Sequence, residues 1–137
     1  TQGKLYELFA QDVASFLEEN SGDEHLRPFL EPLAAAVERL DDVTEHVIKQ
    51  AGETQNAVGA ASVDYLDLFG LTALGYMWAK IAKAAAPQLE SDASGFYSGK
   101  LKTARFYFDR LLPKTVSLAE GIRSGSDSMM ALTAEEF

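Results

Sequence analysis

A chain of 137 residues, 47% apolar and 24% charged, fits one domain with a single core, and its lack of cysteine excludes disulfides and thiolate metal sites. The net charge of −9 disfavours general nucleic-acid and membrane-surface binding, both of which need an exposed basic surface. The charge is uneven: residues 1–54 hold 12 acidic against 4 basic side chains, whereas six bases within 100–123 face only Asp109 and Glu120. The acidic half and the basic segment are therefore expected to lie side by side.

The chain opens on Thr1-Gln-Gly-Lys4 with no signal-type apolar segment after it. It is expected to be one helical domain over 1–137, the C-terminal fragment of a longer cytoplasmic polypeptide. The first helix, about Lys4 to Glu19, puts Leu5, Leu8, Phe9, Val13, Phe16 and Leu17 on one stripe, and Asn20-Ser-Gly-Asp23 ends it with loop chemistry. The second carries Leu33, Val37, Leu40, Thr44, Val47 and Ala51 at steps of four and three. Pro28 and Pro32 predict an irregular first turn, and Gly52 ends the helix.

The third helix, about Thr54 to Ala86, has two apolar stripes. One is Ala61, Tyr65, Leu68, Thr72, Gly75, Ala79 and Ala82; the other is Leu71, Leu74, Trp78 and Ile81. Twelve residues, Leu68 to Ala79, pass without a charge. That run falls short of the roughly 20 apolar residues a bilayer span needs, so the helix reads as buried on most sides of a bundle. Gly59, Gly70 and Gly75, each costing about 1 kcal/mol in a helix, are expected to let neighbouring backbones approach. Pro87 stops the helix, and Ser91-Asp-Ala-Ser94 offers caps for the next.

The fourth helix, about Ser94 to Ser124, faces the core with Tyr97, Leu101, Ala104, Phe108, Leu111, Thr115, Leu118 and Ile122. Pro113 predicts a kink, and Gly125 closes the helix. In the tail, Met129, Met130 and Leu132 predict a docked turn, and Thr133-x-x-Glu136 matches a capping box. The fold class is all-α: an antiparallel up-down four-helix bundle with a short C-terminal tail.

No catalytic, cofactor-binding or metal residue is assigned. Asp41, Asp42, Glu45 and His46 supply at most half of a di-metal carboxylate motif, and they read as a solvated acidic face. His25 and His46 lack a serine or threonine in a nucleophile-type turn and read as exposed histidines. No glycine-rich phosphate loop is present, and the many aromatics at helical spacing read as core. Asp64, Asp67, Lys100 and Arg105 are singled out as structural polar residues, expected to form ion pairs between the third and fourth helices, with Asp64 near Lys114.

Two segments carry a family resemblance. Asp64-Tyr-Leu-Asp-Leu-Phe-Gly70, running on to Leu74-Gly-Tyr-Met-Trp-Ala79, resembles the central helix of the additional C-terminal domain of some bacterial acyl-CoA dehydrogenases. Phe96-Tyr-x-x-Lys100-x-x-Thr-Ala-Arg105-Phe-Tyr-Phe-x-x-Leu-Leu-Pro113 is similar to that domain's next helix, and Ser128 to Phe137 to its carboxyl end. The resemblance covers about 33–137 and includes enzymes like 3-methylmercaptopropionyl-CoA dehydrogenase. It implies a longer parent that binds FAD and oxidises acyl-CoA to trans-2-enoyl-CoA, with its catalytic glutamate, flavin site and CoA groove in preceding domains. The resemblance leaves this domain non-catalytic, packed on the rest of the dehydrogenase chain and a second subunit. The alternative is an independent protein- or DNA-binding helical module, with the charge of −9 weighing against DNA.

Overall fold

Helices α1 (Gln2–Glu19), α2 (Arg27–Ala51), α3 (Gln55–Ala85), α4 (Phe96–Arg110) and α5 (Lys114–Arg123) make up the computed structural model, which describes residues 2–137. Short 3-10 helices lie at Ala86–Ser91, between α3 and α4, and at Ala134–Glu136, and no strand occurs among the described residues. The rods alternate in direction. Phe16 meets Tyr76 and Phe9 meets Phe69, so α1 runs with α3. Thr44 meets Tyr65 while Leu33 reaches Gly75, so α2 runs against it. Leu112 reaches Gly75 and Gly121 reaches Asp64, so α4 and α5 together form the fourth, antiparallel rod.

Local chemistry sets the helix ends. The Thr54 hydroxyl accepts from Asn56 N–H and starts α3. The Asp92 carboxylate accepts from Tyr97 N–H and from Ser94, while the Ser94 hydroxyl takes Phe96 N–H, which starts α4. These donors, the Ser94 hydroxyl foremost, hold the Asp92 carboxyl below its ordinary range. Gly125, at φ 74°, turns the chain out of α5 in a conformation that β-carbon-bearing residues avoid.

The kink expected at Pro113 is a full break. Proline has no N–H to donate and its ring crowds the carbonyl four residues back. Regular helix stops at Arg110; Leu111 and Leu112 N–H both turn to the Tyr107 carbonyl at 2.9 and 3.0 Å, and helix restarts at Lys114.

The core lies in two clusters. One joins Val13, Phe16, Leu33, Tyr76, Ala79, Tyr107, Phe108 and Leu112; the other joins Leu40, Val43, Ala61, Leu68, Ala119 and Ile122. Gly75 is where α3 comes closest to its neighbours: a β-carbon there would lie 3.1 Å from Leu112 Cδ1 and 3.7 Å from Leu33 Cδ1. Gly59 and Gly70 differ from expectation, since a β-carbon on either would meet nothing within 4 Å.

The first stripe of α3 is buried as expected, with Leu68, Thr72, Ala79 and Ala82 fully enclosed. The second is not. Leu74 is 52% exposed, Leu71 and Trp78 are half-buried, and Val63, Leu66 and Met77 stand 68%, 71% and 43% exposed. The reading of α3 as buried on most sides is therefore corrected: three rods cover one flank and leave an apolar flank open. The segment 55–91, expected to fall short of a bilayer span, meets the length and composition of one, and only 22% of its most apolar window is buried. The tail differs as well. Its capping box forms, with Glu136 accepting from Thr133 N–H at 2.8 Å, but Met129, Met130 and Leu132 stay exposed rather than docked.

Candidate functional site

Two surfaces gather chemically distinctive side chains. The first is a cleft of about 530 Å³ where α1, α2 and α3 meet, lined by Tyr6, Glu7, Asp41, Thr44, Glu45, Ile48 and Tyr65. Tyr6 donates its hydroxyl to Asp41 Oδ1. Thr44 Oγ1 donates to the Leu40 carbonyl at 2.7 Å and lies 2.8 Å from the Tyr65 hydroxyl. Burial, then the Asp42 and Glu45 carboxylates, pushes the Asp41 carboxyl above its ordinary range. The Tyr6 hydroxyl works against that push by donating to the charged form.

This acidic wall does not suit a flavin dinucleotide. A diphosphate asks for N–H and cationic donors, and the cleft offers Glu7, Asp41 and Glu45 instead. The aromatic rings of this region pack on one another: Tyr6, Phe9 and Tyr65 each lie 5.0 to 6.3 Å from Phe69. Among the described residues no three His, Cys, Asp or Glu side chains converge as metal ligands would. His46 Nε2 is buried without a hydrogen-bond partner among the described residues, while His25 is exposed.

The second surface is the open flank of α3 with the adjoining edge of α5. Leu66, Asp67, Gly70, Leu71 and Leu74 line a groove there, faced by Lys114, Ser117 and Leu118. The four structural polar residues fall as follows. Asp64 is half-buried with Oδ2 3.2 Å from the point a Gly121 β-carbon would occupy, so it rests on the α5 backbone. Asp67 is exposed on the groove. Lys100 sets Nζ over the Phe96 ring, 5.3 Å from its centre. Arg105 pairs with Asp109 at 3.1 Å along α4 itself. Cross-helix ion pairs from these four are absent among the described residues: Asp67 faces solvent, Lys100 and Arg105 find a neighbour one turn away, and Asp64 rests on the α5 backbone.

The acidic half does meet the basic segment, through residues that spacing did not single out. Arg123 reaches Asp42 at 3.7 Å, and Arg39 donates to Thr115 Oγ1 at 2.9 Å, joining α2 to α5. Tyr107 carries a further buried polar link, donating to the Leu71 carbonyl at 2.6 Å. Burial pushes its phenol up to about 12. Spacing alone hid these contacts, since each depends on which rod lies beside which.

Residues 9–133 match the family model of acetyl-CoA dehydrogenase C-terminal-like domains. The comparison with curated proteins finds no match. The matched span takes in most of α1 and all of α2 to α5, wider than the resemblance at 33–137. Because the match spans most of the chain and both core clusters, the chain belongs to the acetyl-CoA dehydrogenase C-terminal-like family.

Proposed function

We propose that this domain is the non-catalytic assembly module of a cytoplasmic, FAD-dependent acyl-CoA dehydrogenase. The parent oxidises an acyl-CoA to the trans-2-enoyl-CoA, in the manner of 3-methylmercaptopropionyl-CoA dehydrogenases. The domain packs on the rest of the dehydrogenase chain and on a second subunit. One observation carries the reading: Val63, Leu66, Leu74 and Met77 stand exposed along the central helix of the bundle. Large apolar side chains lined up on one flank mark an interaction surface. Membership of the acetyl-CoA dehydrogenase C-terminal-like family supplies the parent. The acidic cleft, ill-suited to a diphosphate, favours a structural role.

The test uses the complete dehydrogenase. Leu66→Lys combined with Leu74→Lys is expected to weaken subunit assembly in light scattering and to lower the melting temperature of the holoenzyme. The same pair leaves the circular dichroism of the 137-residue chain unchanged, because both side chains already face solvent. Purified alone, the chain is expected to carry no flavin and to turn over no acyl-CoA. Stoichiometric flavin on the isolated chain, or a holoenzyme indifferent to both lysines, would overturn the reading.

A further inference from the structure

We infer that the open flank of α3 pairs with the same flank of a second copy of this chain, the two helices lying antiparallel across a two-fold axis at Gly70. The inference rests on the assembly reading above and narrows it to one partner. Four large exposed apolar residues sit at fixed offsets from Gly70: Val63 and Met77 seven residues to either side, Leu66 and Leu74 four to either side. In an antiparallel pair centred there, Val63 faces the Met77 position of the other copy and Leu66 faces its Leu74 position. Every apolar side chain of the stripe then meets another. A two-fold contact must be self-complementary in this way.

Gly70 itself supports the arrangement. It lies inside a 31-residue helix, where glycine is unfavourable, and it has no positive φ to justify it. Gly75 earns its place against Leu112 and Leu33, whereas a β-carbon at Gly70 would meet nothing within the chain. A missing side chain at the crossing point lets two helix backbones come close.

Charge is the second independent argument. The groove beside the stripe presents Asp67 on α3 and Lys114 on α5, both exposed and neither in an ion pair among the described residues. A patch holding one charge of each sign can set its acid against the other copy's base, twice over, across the axis. A wholly acidic or wholly basic rim would repel itself.

The absence of cysteine makes the geometry directly testable. A Gly70→Cys chain is expected to form a disulfide-linked dimer under mild oxidation at least about tenfold faster than a Glu90→Cys control, since only the axis brings a residue onto its own copy. The unaltered chain is expected to dimerise in sedimentation equilibrium. Leu66→Lys should weaken that dimer by about a hundredfold or more, because the change counts twice across a two-fold contact. A monomer at all concentrations together with equal rates for the two cysteine variants overturns the pairing. If Leu66→Lys still disrupts the complete dehydrogenase in that case, the flank docks on the catalytic domains, and the assembly role survives without the symmetry. Co-sedimentation of the chain with phosphatidylcholine vesicles, lost in Leu66→Lys, would instead mark the flank as a lipid-facing surface and also overturn the pairing.

Discussion

Tyr107 shows how one phenol can tie two rods together. Its ring lies against Trp78 and Phe108, and its hydroxyl reaches the Leu71 carbonyl across the α3–α4 contact. Removing the hydroxyl in Tyr107→Phe is expected to cost about 1 kcal/mol in urea titration, the usual net value of such a bond. Its pH behaviour follows from a phenol raised to about 12. The folded chain keeps the proton after the unfolded chain loses it near pH 10, so this contribution is complete below that pH and is lost as pH rises towards 12. Tyr107→Phe should flatten that alkaline loss. Asp41 behaves as a carboxyl whose charge is unwelcome: its raised value means that stability falls as pH rises through the window above the ordinary carboxylate range. Asp41→Asn keeps an acceptor for Tyr6 and is expected to stabilise the chain at pH 7 by less than about 1 kcal/mol, the site being partly open to screening solvent.

Among the elements, α1 is the most lightly held. Phe16 lies 5.4 Å from Tyr76 and Phe9 5.0 Å from Phe69, while Leu5 and Leu8 are 75% and 51% exposed. Phe16→Ala is expected to cost about 3 kcal/mol in denaturant titration, typical of a deleted buried ring. Amide exchange in the variant should rise along α1 before it rises in α2. Sequence periodicity reads α2 and the fourth rod well because each has one apolar face. It misleads on α3, whose two faces are both apolar, so nothing in the spacing distinguishes the flank covered by α2 and α5 from the open one. Leu5 and Leu8 mislead for a related reason: they share a stripe with Phe9 and Val13, but in that turn Tyr6 faces α2 and α3 while both leucines stay exposed. Pro113 is legible as an interruption; its outcome as a break depends on Leu111 and Leu112 finding the Tyr107 carbonyl.

For the whole molecule, the charge division is legible in advance but its pairing is not. The acidic first half joins α5 through Asp42 and Arg123, while the ion pairs expected of Asp64 and Asp67 do not form among the described residues. With a net charge of −9 and few ion pairs to lose, the chain should gain stability as salt screens its self-repulsion. Its melting temperature is expected to rise between very low salt and about 0.15 M, where the Debye length is about 8 Å. A falling temperature would mean that the Arg123 and Arg39 links outweigh the crowding of acids.

The interruption at Pro113 has a mechanical consequence. Phe108 and Leu112 belong to one apolar cluster, Ala119 and Ile122 to the other, so the gap between α4 and α5 falls at the seam of two storeys. The helices α1, α2 and α3 pass through that seam as unbroken struts. Opening of the lower storey can therefore proceed while the upper one stays shut, so protection of Ala119 and Ile122 amides should fade at a denaturant concentration that leaves Ala104 and Phe108 sealed.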